Sequence, residues 1–206
     1  MGAELWCARL ERPLTAAEES CLLAQAPTER AETLPTVERR EPLCAYGLLR
    51  LALFHRLGWR ELPALARTPL GKPYFPAWPR VCFSLSHTDG AVLVLLHDEA
   101  EGADIERLRP VRPATLRRLG NGAADSKAFL QSWVEREALV KREGGSVLGS
   151  VRREPHPTGR VYPVQTFPGY VAAVTALPEQ VRLLTLAELL AELQSIYANN
   201  EKGAAR

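Results

Sequence analysis

The chain has 206 residues, 46% of them hydrophobic, and its 26 lysines and arginines exceed its 24 acids by two. That length and composition describe a globular protein able to bury one sizeable core or two small ones, and exclude a disordered or fibrous chain. So small a positive balance argues against a broad nucleic-acid surface, and the longest apolar run, Ala91–Leu96, falls far short of the ~20 residues of a membrane-spanning helix.

The opening MGAELWCARLERP carries acids and an arginine where a signal peptide has its apolar stretch, so a cytoplasmic protein is expected. Leu5, Cys7 and Leu10 mark residues 2 to 10 as a first strand. Thr15 and Glu18 then form a capping-box pattern ahead of a helix whose buried stripe is Cys21, Leu22 and Leu23. A passage rich in proline and charge leads to the stretch Leu43–Leu57, which reads as a helix with Pro42 in its first turn and Gly58 just past its end. Residues 59 to 80 are rich in proline and predict a structured loop. Three short strands follow, at Val81–Ser86, Ala91–His97 and Gly102–Glu106.

A second helix is expected from Asp125, its N-cap, to Glu143, with Gly144 and Gly145 as the stop. Arg160–Thr166 and Tyr170–Val174 read as a hairpin turning at Pro168 and Gly169. A strand near Val181–Leu184 comes next, then a helix opened by the capping box of Thr185 and Glu188; no structure is expected from Asn199 to Arg206. Strands and helices mix without regular alternation, which predicts an α+β fold.

The four cysteines and four histidines are scattered, with no C-x-x-C pair, so neither a zinc site nor a disulfide framework is expected. Four segments carry chemistry. Asp104 and Glu106 end a strand, where a period of two puts both carboxylates on one face and Ile105 on the other, an oxygen pair suited to a hard cation. Trp133, Glu137 and Lys141 lie four residues apart along one helix face. Gly71-Lys72-Pro73 is a turn holding a lysine in place, and Ser86-His87 ends a strand with a hydroxyl and an imidazole suited to phosphate oxygens.

Taken in order, G-K-P, F-S-L-S-H, G-A-D-I-E and W-x-x-x-E-A-x-x-K resemble the signature series of the 4′-phosphopantetheinyl transferases, specifically the surfactin-synthetase-activating type. Arg12-Pro13-Leu14, the Pro27–Arg30 passage, Leu48-Leu49-Arg50 and Pro168-Gly169-Tyr170 extend the likeness toward both ends. The resemblance implies two similar α+β halves related by a pseudo-twofold axis, residues 1–99 on the coenzyme A side and 100–206 carrying the metal site and carrier docking, with the active site in the cleft between them. It implies Asp104, Glu106 and Glu137 as Mg²⁺ ligands, and Lys141 on a pyrophosphate oxygen. Lys72, Ser86 and His87 would belong to the coenzyme A site, His87 near the 3′-phosphate.

The implied reaction moves phosphopantetheine from coenzyme A to a serine of an apo acyl or peptidyl carrier protein, releasing adenosine 3′,5′-bisphosphate. Glu137 would take the serine proton and Lys141 would stabilise charge on the leaving phosphate. A monomer is expected, with no nucleic-acid or membrane partner. Departures from the family pattern are Arg136 for a lysine, Ser84 for an asparagine, and Thr28, Glu29 and Glu41 where basic residues are usual. Arg30, Arg39 and Arg40 are the substitutes nominated for the 3′-phosphate. The stretch from Glu106 to Trp133 is short and lacks an F-F-S-x-x-E segment. A rival reading is a catalytically silent relative that binds carrier protein or coenzyme A; the intact set Asp104, Glu106, Glu137 and Lys141 argues against it. No G-x-x-x-x-G-K-[ST] loop is present for an ordinary phosphotransferase.

Overall fold

The computed structural model describes residues 2–27, 39–120, 122–145 and 158–203, with side chains as far as residue 196. Its fold is mixed α+β, in four layers. The middle of the molecule follows from one sequence feature, the unbroken apolar run of Ala91–Leu96, which suits a strand covered on both faces. That strand, β5 (Ala91–His97), lies inside a four-stranded sheet between β4 (Cys82–Thr88) and β1 (Ala3–Arg9), with β9 (Pro178–Thr185) at the far edge. β4, β5 and β1 pair antiparallel; β9 runs parallel to β1, so the end of the chain returns to its beginning.

Helix α2 (Arg40–Leu57) packs on one face of this sheet through Leu48, Leu49 and Leu53, and the last helix, α5 (Leu186–Gly203), joins it there. α2 ends at Gly58, which takes φ 71° and turns the chain out of the helix. The short α1 (Ala16–Leu23) lies alongside and opens with the predicted capping box between Thr15 and Glu18. The helix α5 continues to Gly203, past Asn199, correcting the expectation of a structureless tail from that residue.

The other face of the sheet presents Leu5, Cys7, Leu93 and Leu95 to a second, three-stranded sheet. This sheet has the order β6 (Ala103–Arg107), β8 (Tyr170–Val174), β7 (Tyr162–Val164), and it contributes Ile105, Ala172 and Val174 to the shared core. Its outer face is covered by the helix α4 (Ser126–Arg142), whose Leu130, Val134 and Ala138 meet Val171 and Ala173. Asp125 caps α4 as expected, accepting from the Ala128 amide at 2.8 Å.

Between β6 and α4 the structure has a helix, α3 (Pro113–Leu119), that the sequence pattern did not announce. The loop 59–80 contains a two-residue ribbon, β2 (Ala66–Arg67) with β3 (Pro73–Tyr74). Cys7 and Cys44 are buried, Cys82 half-buried and Cys21 exposed, all as thiols. Among the described residues no helix is long and apolar enough to cross a membrane.

Candidate active site at the β4–β6 junction

Gly102 determines how the site is assembled. A Cβ at that position would run into the Ala138 carbonyl oxygen and the Arg142 amide, so the glycine allows α4 to lie directly on the start of β6. The close approach carries Lys141 over Asp104. Its ammonium lies 2.7 Å from Asp104 Oδ1 and donates to the Leu85 carbonyl at 3.2 Å. Both partners of the pair are largely withdrawn from water, with side-chain exposures of 13% and 7%, and breaking a pair so desolvated costs about 3–5 kcal/mol.

The alternation expected for Asp104-Ile105-Glu106 is present. Ile105 enters the core between the sheets, while Asp104 lies on the α4 side. Glu106 Oε2 accepts from Thr88 Oγ1 at 3.1 Å and pairs with Arg109 at 2.6 Å. Glu137, on α4, is wholly buried. Among the described residues no group of three or more histidine, cysteine, aspartate or glutamate side chains is gathered as a metal site. The pair Asp104 and Glu106 still suits Mg²⁺ chemically, because that ion is commonly held by one or two carboxylates, with substrate phosphates and waters completing its shell.

Ser86 and His87, expected to act together, lie on opposite faces of β4. Ser86 donates to Asp104 Oδ1 at 2.6 Å. His87 is exposed and lines a cavity of about 160 Å³, together with Lys72, Tyr46, Leu85 and Lys141. Ser86 is not among the lining residues; its hydroxyl is directed to the Asp104 carboxylate. Lys141 touches both regions and links the cavity to Asp104.

Lys72 is fixed by the turn that precedes it. Gly71 has φ 92°, and Thr68 closes the turn by accepting from the Lys72 amide at 3.0 Å. The Thr68 hydroxyl also donates to the Gly144 carbonyl at 2.8 Å, tying this turn to the end of α4. The Lys72 ammonium donates to the Glu101 carbonyl at 2.8 Å. Burial pushes its pKa down to about 8, with Lys141 adding to the effect and Cys82 and Glu101 opposing it.

Arg40 lies outside the cavity, bonded to Glu41 at 2.9 Å and 3.6 Å from Asp89. Arg30 falls outside the described residues. Sequence reasoning gave no place in the site to Thr68 or Thr88, and noted Ser84 only as a departure from the family's asparagine. For Ser84 and Thr88 the signal was present in the alternation Ser84-x-Ser86-x-Thr88.

No protein-family model matches the chain. Relatives do: a 4′-phosphopantetheinyl transferase AcpT of Escherichia coli O157:H7 is 34% identical over 139 residues, 60% of this chain and 68% of that protein. The chain belongs to the 4′-phosphopantetheinyl transferase family. The transferase AcpT of Salmonella typhi is 33% identical over 141 residues, 61% of this chain and 66% of the relative, so the chain spans just under two thirds of that relative's length. A 4′-phosphopantetheinyl transferase of Bacillus subtilis is 25% identical over 151 residues, 66% of this chain and 67% of the relative.

Proposed function

We infer that the chain is a working 4′-phosphopantetheinyl transferase of the surfactin-synthetase-activating type. It transfers the phosphopantetheine arm of coenzyme A to a serine of an acyl or peptidyl carrier protein, with Mg²⁺, and releases adenosine 3′,5′-bisphosphate. The observation that carries the reading is the position of Lys141, shared between the Asp104 carboxylate and a cavity also lined by Lys72 and His87. Three cationic or protonatable groups converging on one opening suit the anionic end of coenzyme A.

Lys72 and His87 hold phosphate oxygens in this reading, each charge-assisted bond contributing about 1.5–3 kcal/mol. Lys141 turns from Asp104 toward the pyrophosphate as it arrives, exchanging one anionic partner for another. There it offsets charge that grows on the leaving phosphate. Asp104 and Glu106 hold Mg²⁺, with Glu137 as the third carboxylate that the family resemblance implies. When bound, the ion withdraws charge from the two phosphates and orients them for in-line attack. Glu137 takes the proton of the attacking serine.

The pseudo-twofold arrangement, with a boundary near residue 99, belongs to the same proposal. It is supported by a similar assembly in each part of the chain: an antiparallel strand pair with one long helix on it, β4–β5 with α2, and β6–β8 with α4. A monomer working in the cytoplasm is proposed with it.

Mass spectrometry of apo acyl, aryl and peptidyl carrier proteins incubated with the protein, coenzyme A and Mg²⁺ tests the reading. A gain of the phosphopantetheine mass on the carrier serine is the expected result. Binding of carrier or coenzyme A without that gain on any of them would replace the enzyme with a silent binding protein.

A further inference from the structure

β4 and β6 are edge strands of different sheets, and they meet side by side without backbone pairing. Three hydroxyls spaced two residues apart on β4 take the place of that pairing. Ser84 Oγ accepts from the Ala103 amide at 3.0 Å, Ser86 Oγ from the Ile105 amide at 3.3 Å, and Thr88 Oγ1 from the Arg107 amide at 3.3 Å. The alternate residues of β6 are directed to β8 instead, since the segment ends bond Gly102 to Thr175 and Leu108 to Gly169. Amides of buried residues such as Ala103 and Ile105 need acceptors, and the ladder supplies them.

A hydroxyl has one proton and two acceptor sites. Because each rung accepts an amide hydrogen, its own proton is available to point elsewhere. Ser86 donates to Asp104 and Thr88 donates to Glu106, in each case the residue just before the amide it accepts. Two rungs therefore fix the register of β6 and also hold one oxygen of each carboxylate. The second oxygen of each accepts no hydrogen bond among the described residues.

We propose that Ser86 and Thr88 are positioning residues that set Asp104 and Glu106 for a divalent cation, through a hydroxyl ladder joining the two sheets. The proposal rests on the reading of Asp104 and Glu106 as the cation's carboxylates. Loss of an outer-shell partner commonly costs about 10–100-fold in metal affinity or activity.

The test compares Thr88→Val, which keeps shape and removes the hydroxyl, with Thr88→Ser, which keeps the hydroxyl, in the full chain. Mn²⁺ binding followed by electron paramagnetic resonance should weaken about tenfold or more in Thr88→Val and return to within about threefold of the unmodified protein in Thr88→Ser. Thr88→Val should also raise the metal concentration needed for half-maximal turnover more than it raises KM for coenzyme A. Equal Mn²⁺ affinity in the valine variant, with Glu106→Gln impaired, overturns the positioning role and leaves the metal assignment standing. Equal affinity in both variants places the metal elsewhere and removes the role with it.

Amide exchange in the unmodified protein keeps the proposal falsifiable should a variant fail to fold. The Ala103, Ile105 and Arg107 amides should be protected like those of residues paired to β8. Exchange at the rate of an unpaired edge would overturn the ladder.

Discussion

Lys72 is a half-buried cation whose ammonium donates to a neutral carbonyl, and the partial desolvation pushes its pKa down to about 8. Above the ordinary lysine range the group is neutral in both folded and unfolded chains. Below about 8 it is charged in both, and the folded state carries the full cost of the buried charge, of order 3 kcal/mol for a shift from 10.5. Stability contributed through this group therefore rises between pH 8 and pH 10.5. A phosphate beside Lys72 would restore its charge, so coenzyme A should bind with net proton uptake near pH 8. Calorimetry in buffers of different ionisation enthalpy should show that uptake in the unmodified protein and its loss in Lys72→Met. Uptake unchanged in the variant would take Lys72 off the phosphates. Glu137→Gln separates two roles in the same way: an amide oxygen still ligates but takes no proton. Turnover should fall about 10²–10⁴-fold while Mn²⁺ binding falls much less. Full turnover in the glutamine variant would exclude the base. The placement of Asp104 and Glu106 opposite Ile105, and of Lys141 one step along α4 from Glu137, was readable because a strand period of two and a helix step of four each place side chains on one face. Ser86 was read as a phosphate ligand because its neighbour His87 suggested one, although the same period of two puts adjacent residues on opposite faces.

The elements that the sequence announced are those with a local signature at their ends. Thr15 with Glu18, Asp125 before α4 and Thr185 with Glu188 all form their caps, because a cap is decided within four residues. The helix α3 went unannounced for want of such a cap: Arg112 supplies no side-chain bond, and Pro113 at the first turn was its one signal. The parallel pairing of β9 with β1 joins residues about 176 positions apart, and nothing in a local pattern encodes it. Gly102 stands between these cases. In the sequence it opens a predicted strand, and the structure supplies the reason for a glycine there, the backbone of α4. Gly102→Ala should push α4 away from β6 and lengthen the contact between Lys141 and Asp104. Overpacking of this kind costs about 1–3 kcal/mol, and the obstructing atoms are backbone, which has little room to yield. Denaturant unfolding should show the loss as a lower midpoint, with turnover falling further than the folded fraction. A variant as stable and active as the unmodified protein would mean that α4 does not need this approach to place Lys141.

Across the whole molecule, charge is uneven around the candidate site. Arg107 and Arg109 are tied to Asp89 and Glu106, so their charge is spent within the site. Beyond them Arg112, Arg117, Arg118 and Lys127 are exposed along α3 and the start of α4, with Asp125 the acid nearby and occupied as a helix cap. The net charge of the chain is +2, so this run is a local field on a nearly balanced surface. Carrier proteins are typically acidic around the modified serine, and a basic strip beside the site would steer them toward it. Arg117→Glu with Arg118→Glu should raise KM for an acidic acyl carrier protein roughly tenfold at low salt, with coenzyme A binding and thermal stability unchanged. Neither arginine has an ion pair among the described residues, so reversing them should disturb no packed contact. The effect should shrink as ionic strength rises past ~0.15 M, where screening acts within about 8 Å. An unchanged KM at low salt would place the carrier on another face. A raised KM that ignores salt would point instead to a local change of shape at α3, which circular dichroism of the double variant would reveal.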